Sequence, residues 1–265
     1  MPHVTLHLHG YPMLCIDGQP VSLKLKHGLA LLAYLSQQRG PVGREHLAVL
    51  LWPNGGRDVA RARLRRLVHE LHRAVGFALL EGDVDRLWLT PGLATDLLIT
   101  NAAIACASDR SRRLDAGSLA PLLQPLVAQW LAGFSLASES FSDWLDSQRR
   151  ERQAAVIEAL TLAARRVAAQ GDAALSEAIA VALLRLDACA EPGHVARIEA
   201  RALRGDAAGI ETAYFECAQV LRGELGVRPS LAVENAYVRA LAATRAASPS
   251  VAHARACPAC AYRPW

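Results

Sequence analysis

RDVARARLRRLVHELHR, residues 57–73, predicts an amphipathic helix that carries six arginines and two histidines. At about 100° per residue, one side of this helix is aliphatic, formed by Ala60, Leu64, Leu67, Val68, Leu71 and Val75. The other side carries Arg65, Arg66, His69, His72 and Arg73, with Ala62 among them and Arg61, Arg63 and Glu70 on the flanks. A helix of this kind suits the major groove of DNA, where arginine pairs with guanine and a small side chain meets a thymine methyl. The alternative is a solvated surface helix, since most runs of charge are solvated faces.

The distribution of charge supports a local basic patch. Of the 29 basic residues only Lys24 and Lys26 are lysines, so arginine richness reflects overall composition and says little by itself. Residues 1–96 hold 11 basic and 8 acidic residues, which is +3 of the net charge of +4. We therefore expect attraction to phosphate to be confined to a patch and to weaken steeply with salt.

The order of elements before residue 96 predicts a small α+β domain. Alternation and turn residues predict strands at 4–9, 13–16 and 21–25, helices at 26–38, 44–52 and 58–75, and a hairpin at 77–90 with its turn at 81–85. Asp58 is the predicted N-cap of the basic helix, and Gly76 ends it.

From residue 97 the pattern is helical. Helices are predicted at 115–132, 140–170, 173–187, 191–204, 207–225 and 230–246. The phrases AAQGDAA at 168–174 and ALRGDAA at 202–208 recur 34 residues apart, the period of tetratricopeptide-like repeats. The prediction is therefore a mainly α chain with a winged helix-turn-helix at 1–96, an all-α tetratricopeptide-like repeat domain at 97–246, and a poorly ordered tail at 247–265. An ordinary helical bundle remains the alternative for the second domain.

Four segments resemble SARP-type bacterial transcriptional regulators, which join an OmpR-like winged helix to a bacterial transcriptional activator domain. They are GLALLAYLSQQRGPVGREHLAVLLWP at 28–53, ARARLRRLVHELHRAVG at 60–76, FSDWLDSQRRERQAAVIEAL at 141–160 and YFECAQVLRGELGVRPS at 214–230. The resemblance implies an activator that binds repeated promoter sites, with RNA polymerase or a sigma factor as partner.

Together, the helical pattern and this resemblance give a set of expected DNA-binding residues: Arg44, Arg61, Arg65, Arg66, His69, His72, Arg73 and Arg86. By resemblance, Arg44 lies near the start of the helix before the recognition helix and Arg86 lies in the wing. The wing turn EGDVDR is acidic, which should oppose contact with minor-groove phosphates. Protonation of His69 and His72 would make binding tighter at mildly acidic pH.

Motifs for catalysis and metal binding are incomplete. The histidines of His69-Glu70-Leu71-His72 have the wrong spacing for a zinc protease, and no Gly-Lys-Ser/Thr step exists for a Walker A loop. His3, His7 and His9 are a weak metal set. Cys257 and Cys260 have the spacing of a metal or redox pair, with His253 nearby but no fourth ligand apparent, so neither a metal nor a cofactor is expected.

The prediction is thus a cytoplasmic, non-enzymatic regulator of transcription that binds double-stranded DNA as a homodimer or on tandem sites. No apolar run is long enough for a membrane span, and the other four cysteines occur singly, as in reduced proteins. The rival is a protein-interaction adaptor whose winged helix no longer binds DNA, favoured by the acidic wing and modest net charge. A hydrolase or metal enzyme is a distant third.

Overall fold

A computed structural model describes residues 2–23, 25–125 and 129–247. Its N-terminal part contains short strands around a three-helix layer. In chain order these elements are β1 Val4–His7, β2 Met13–Ile16, β3 Gln19–Val21, α1 Lys26–Leu35, β4 Val42–Gly43, α2 Arg44–Leu51, α3 Arg57–Val75, β5 Leu80–Gly82, β6 Arg86–Leu89 and β7 Leu93–Thr95.

The strands form two sheets in the described residues. The first has the order β3-β2-β1-β7, with β7 parallel to β1 and the other pairs antiparallel. The second has the order β4-β6-β5, and its β5–β6 hairpin follows α3 directly. This hairpin occupies the position of the wing in a winged helix.

The three helices pack through the aliphatic faces that their spacing predicts. Leu31 of α1, Leu47 of α2 and Leu71 of α3 are fully buried in one core. Gly28 allows α1 to approach α3 closely, because a Cβ there would lie 2.8 Å from Leu71 Cδ2. The packing turns the opposite face of α3 to solvent.

The rest of the chain is helical. Its elements are α4 Leu97–Ser108, α5 Ala116–Leu123, α6 Glu139–Ala169, α7 Ala173–Leu186, α8 Glu191–Leu203, α9 Ala207–Leu225 and α10 Leu231–Ala247. The two repeated phrases form equivalent turns, since Gly171 and Gly205 have φ of +75° and +69°. In each turn the next residue, Asp172 or Asp206, caps the following helix by accepting a backbone N–H. The repeat seen in the sequence is therefore a repeat of helix pairs, α6 with α7 and α8 with α9, each joined by a Gly-Asp turn.

Residues 129–145 return to the winged helix. Trp130, Leu131 and Phe141 are buried in the same core as Leu6 and Leu8 of the first sheet. The Leu131 amide donates to the Leu8 carbonyl at 2.8 Å, and Trp130 forms an isolated antiparallel bridge with His9 just after β1. The predicted boundary at 96/97 separates an α+β stretch of sequence from a helical one. Trp130, Leu131 and Phe141 of the helical stretch nevertheless pack in the core of the α+β stretch.

Several predicted elements were wrong in detail. The helix predicted at 115–132 ends at Leu123, because Pro125 cannot donate a helical hydrogen bond, and Trp130 and Leu131 pack on the winged helix instead. The strand predicted at 21–25 lies at Gln19–Val21 instead, and the short strands β4 and β7 and helix α4 were missed. Gly56, not Asp58, is the N-cap of α3.

The predicted tail and the Cys257–Cys260 pair lie outside the described residues. Within those residues, no helix combines the length and apolar character needed to cross a bilayer.

Candidate nucleic-acid interface

Helix α3 presents a broad basic face. Ala60, Leu64, Leu67 and Leu71 are buried, and Gly76 closes the helix in the left-handed region with φ of +83°. The exposed residues of the opposite face are Ala62, Arg65, Arg66, His69 and Arg73. The structure therefore brings these five side chains onto one solvent-facing surface, which we call the α3 outer face.

One arginine of the α3 outer face is held by a neighbour. Arg66 is 82% exposed, and its Nε donates to Glu70 Oε1 at 2.8 Å. A guanidinium has five N–H donors, so the terminal nitrogens keep donors for an outside acceptor. Glu70 thereby restricts where the Arg66 fork points.

His72 does not lie on the α3 outer face, in contrast to the expectation from the helical wheel. The ring is half-buried, and its Nε2 accepts the Leu80 amide at 3.2 Å. Burial and the nearby His69 lower the pKa of His72, which favours the neutral ring that this hydrogen bond requires. This hydrogen bond joins α3 to the start of β5. Arg61, on the same flank of α3, is also half-buried.

The wing tip is shaped by its own acidic residue. The Asp83 carboxylate accepts the amides of Asp85 at 2.8 Å and Arg86 at 2.7 Å, and these bonds lower the pKa of Asp83. Arg44 Nε donates to the Asp83 carbonyl at 2.9 Å, which ties the start of α2 to the wing. Glu81 accepts from Trp88 Nε1 at 3.3 Å, while the Arg86 side chain is exposed. The Asp83 carboxylate therefore stabilises the turn of the wing through its hydrogen bonds to backbone amides.

A second cationic cluster was missed in the sequence. Lys26, His27, Trp52 and Arg63 line a groove of about 360 Å³ beside α3, and the rings of His27 and Trp52 stack with centroids 4.8 Å apart and planes 11° apart. Arg63 was visible on the helix flank in the sequence. Its proximity to His27 depends on the packing of α1 against α3.

His3 and His9, which flank β1, make contacts within the fold. His9 Nδ1 lies 3.3 Å from Asp96 Oδ2, and the Asp96 carboxylate also accepts the amides of Leu8 and His9. Burial would raise the pKa of Asp96, but these hydrogen bonds lower it overall. His3 points elsewhere, with its Nδ1 3.3 Å from the Thr5 hydroxyl. Across the described ranges, no group of three or more His, Cys, Asp or Glu side chains could hold a metal ion.

Comparisons with known proteins support the fold. A scan against protein-family models gives no match. A search of curated proteins likewise gives none. Among solved structures, this chain is similar to EmbR of Mycobacterium tuberculosis in a complex with a low affinity phosphopeptide. That match has a TM-score of 0.66 at 22% identity and covers 93% of this chain and 68% of that chain.

At this identity the likeness establishes a shared fold. The class is a winged helix followed by a tetratricopeptide-like helical domain. EmbR is a SARP-family regulator, so the match confirms the fold that the resemblance to SARP-type regulators implies.

Proposed function

We propose that this chain is a sequence-specific DNA-binding regulator of transcription, an activator without enzymatic activity that works in the bacterial cytoplasm. The observation that carries the proposal is the α3 outer face, where Arg65, Arg66, His69 and Arg73 are all exposed around Ala62. The fold shared with EmbR supports a regulator of this general kind.

In this function α3 docks in the major groove of double-stranded DNA. The guanidinium forks of Arg65, Arg66 and Arg73 bind guanine edges or phosphates, and Ala62 allows close approach to a thymine methyl. Arg86 in the wing reaches the neighbouring backbone, with Arg44 holding the wing tip in place. His72 acts through the helix it anchors rather than by touching a base.

A homodimer, or tandem protomers on repeated sites, follows from the small size of this interface. Each good side-chain–base contact contributes about 1–3 kcal/mol of discrimination, so a single helix needs a neighbour for useful specificity. The stacked helices α6 to α10 provide the second surface, on which RNA polymerase or a sigma factor would dock. Footprints that cover one half-site at full affinity would contradict this part of the proposal.

The decisive experiment is selection of genomic fragments by the purified chain at about 150 mM salt, where non-specific binding is weak. The parent should enrich short repeated sequences, and the R65A/R73A variant should enrich none. R110A/R113A is the matched control, because it removes the same charge from exposed residues between α4 and α5.

Enrichment by the control but not by R65A/R73A would support the DNA-reading helix. Equal enrichment by all three proteins would overturn it. If the parent enriches nothing, the function fails and the protein-interaction adaptor takes its place.

A further inference from the structure

The groove beside α3 is cationic and lies next to the α3 outer face. Lys26 and His27 come from the first turn of α1, and Arg63 and Arg66 come from α3. Glu70 is the acidic residue among its lining side chains, and its carboxylate is already bonded to Arg66. Arg66 and Glu70 therefore compensate each other, and the charges of Lys26 and Arg63 are left to attract an anion.

The position of this groove matches one border of the DNA major groove. The wing lies on one flank of α3, where His72 bonds to Leu80. Arg63 and the groove lie on the other flank, beside α1. When the α3 outer face enters a major groove, its two flanks face the two sugar-phosphate backbones that border it.

We propose that Lys26, His27 and Arg63, supported by Trp52, form a binding site for a phosphodiester of the DNA backbone on the flank of α3 opposite the wing. This inference rests on the proposed function and deepens it. The site would fix the angle at which α3 enters the groove without reading bases, since phosphate contacts set register and orientation.

The local chemistry fits a phosphate. Lys26 and Arg63 are exposed, so their charges can reach a passing backbone. The first turn of α1 has no acidic residue, and its N-cap Leu25 offers no side-chain acceptor to the leading amides. The Gly28 amide donates to the Leu25 carbonyl at 2.9 Å, so the amides of Lys26 and His27, together with the helix dipole, favour an anion beside the two cationic side chains.

His27 and Trp52 give the site its rigidity. The stacked rings hold His27 at the mouth of the groove, between α1 and the end of α2. Burial and then Arg63 lower the pKa of His27, so the neutral ring serves as a hydrogen-bond donor while Lys26 and Arg63 supply the charge.

The test compares the salt dependence of binding for K26A, R63A and the parent on a selected fragment and on a shuffled duplex. Each substitution should weaken both complexes by the same factor and reduce the slope of log affinity against log salt by about 1. R65A is the contrast, because loss of a base contact should weaken the selected fragment more than the shuffled one. Thermal melting of each variant checks that the fold is retained.

A second arm locates the phosphate on the DNA. Neutral methylphosphonate is placed at single positions along the backbone that borders the selected half-site. At one position it should weaken the parent yet leave K26A and R63A unaffected. Competition by inorganic phosphate at constant ionic strength identifies a site for the free anion instead.

The outcomes are distinct. Unchanged salt slopes for K26A and R63A, with normal binding by the parent, would overturn the groove assignment and leave the proposed function intact. Displacement by inorganic phosphate without any methylphosphonate effect would also overturn it. Failure of the parent to bind any duplex would overturn the proposed function itself.

Discussion

The arginines of α3 and those of α8 share a composition but not an environment. In α8, Arg197 lies 3.1 Å from Glu216, and Arg201 lies 3.6 Å from Asp206, so these charges are compensated within the helical repeats. On the α3 outer face, Arg65 and Arg73 are exposed, and neither takes part in an ion pair with another described residue. The comparison shows that the spatial arrangement of acidic partners, rather than arginine content, distinguishes the unpaired arginines of α3 from the paired arginines of α8.

The energetics follow the same division. Ion pairs near the surface contribute about 0–1 kcal/mol to stability each, because side-chain entropy and solvent screening offset the attraction, and the half-buried arginines of α8 form pairs of this kind. An unpaired guanidinium has lost none of its donors to a neighbour and can use them all on a ligand. Substitutions in the two regions should therefore change different measurements.

The largest expected effect is on DNA affinity. R65A/R73A should weaken binding to a selected site by about 100-fold or more, because two contacts of about 1–3 kcal/mol each are lost. R201A/R204A, at the C-terminal end of α8 and its C-cap, should change that affinity by less than about twofold, since those side chains form ion pairs inside the repeats. Titrations at one fixed salt concentration compare the two, and equal losses would mean that only total charge matters.

The next largest effect concerns an arginine that belongs to neither group. Arg152 of α6 lies over the Trp130 ring, 4.9 Å from its centroid, and bonds to the Gln37 side chain, and burial lowers its pKa. R152A should reduce the free energy of unfolding by about 2 kcal/mol, because a desolvated cation–π contact and its aliphatic packing are lost.

Urea denaturation measures this change, and the exposed Arg150 provides the control variant R150A. R152M should recover part of the loss by restoring packing without a buried charge. A urea midpoint for R152A equal to that of R150A would show that the contact of Arg152 with Trp130 and Gln37 does not contribute to the stability of the protein.

A smaller effect is expected from Glu70, the carboxylate that pairs with Arg66 on the α3 outer face. E70Q should raise affinity for a shuffled duplex by about threefold, since it removes a negative charge beside the DNA. Discrimination between selected and shuffled duplexes should fall, because Arg66 is no longer held by its 2.8 Å pair. The matched variant E216Q, which removes the partner of Arg197, should change neither value. Improved discrimination in E70Q would show that Glu70 does not position Arg66.

The smallest effect is a dependence of stability on pH. The pKa of His72 is lowered from its ordinary value of 6.5, so the unfolded chain takes up a proton at higher pH than the folded chain. Its contribution to stability is therefore complete above pH 6.5 and is lost as pH falls through 6.5 toward the folded-state pKa.

Melting temperatures between about pH 7.5 and pH 5.5 bracket the titration of an ordinary histidine. They should fall by a few degrees less in H72Q than in the parent. H69Q, on the exposed face of the same helix, should retain most of the dependence, because burial, the larger cause of the lowered pKa of His72, is unchanged. A parental slope in H72Q would assign the effect to other groups, such as His27.

Local patterns account for most of the elements. The aliphatic spacing of α3, the Gly-Asp turns of the repeats and the bounds of α6 to α9 all follow from periodicity and capping, which depend on neighbouring residues. The C-terminal half of the helix predicted at 115–132 was wrong. Trp130 and Leu131 do not continue a helical apolar face; they pack in the core beneath β1, which is formed by residues distant in the chain.

The candidate site divides in the same way. The sequence by itself determined that α3 is amphipathic and that Arg65, Arg66, His69 and Arg73 share its polar side, because helical geometry repeats every 3.6 residues. Only the tertiary structure decided that His72 turns to Leu80 and that Arg63 meets His27 and Trp52 in one groove. These contacts join residues of different elements, and their formation depends on how α1, α3 and the wing pack around a shared core.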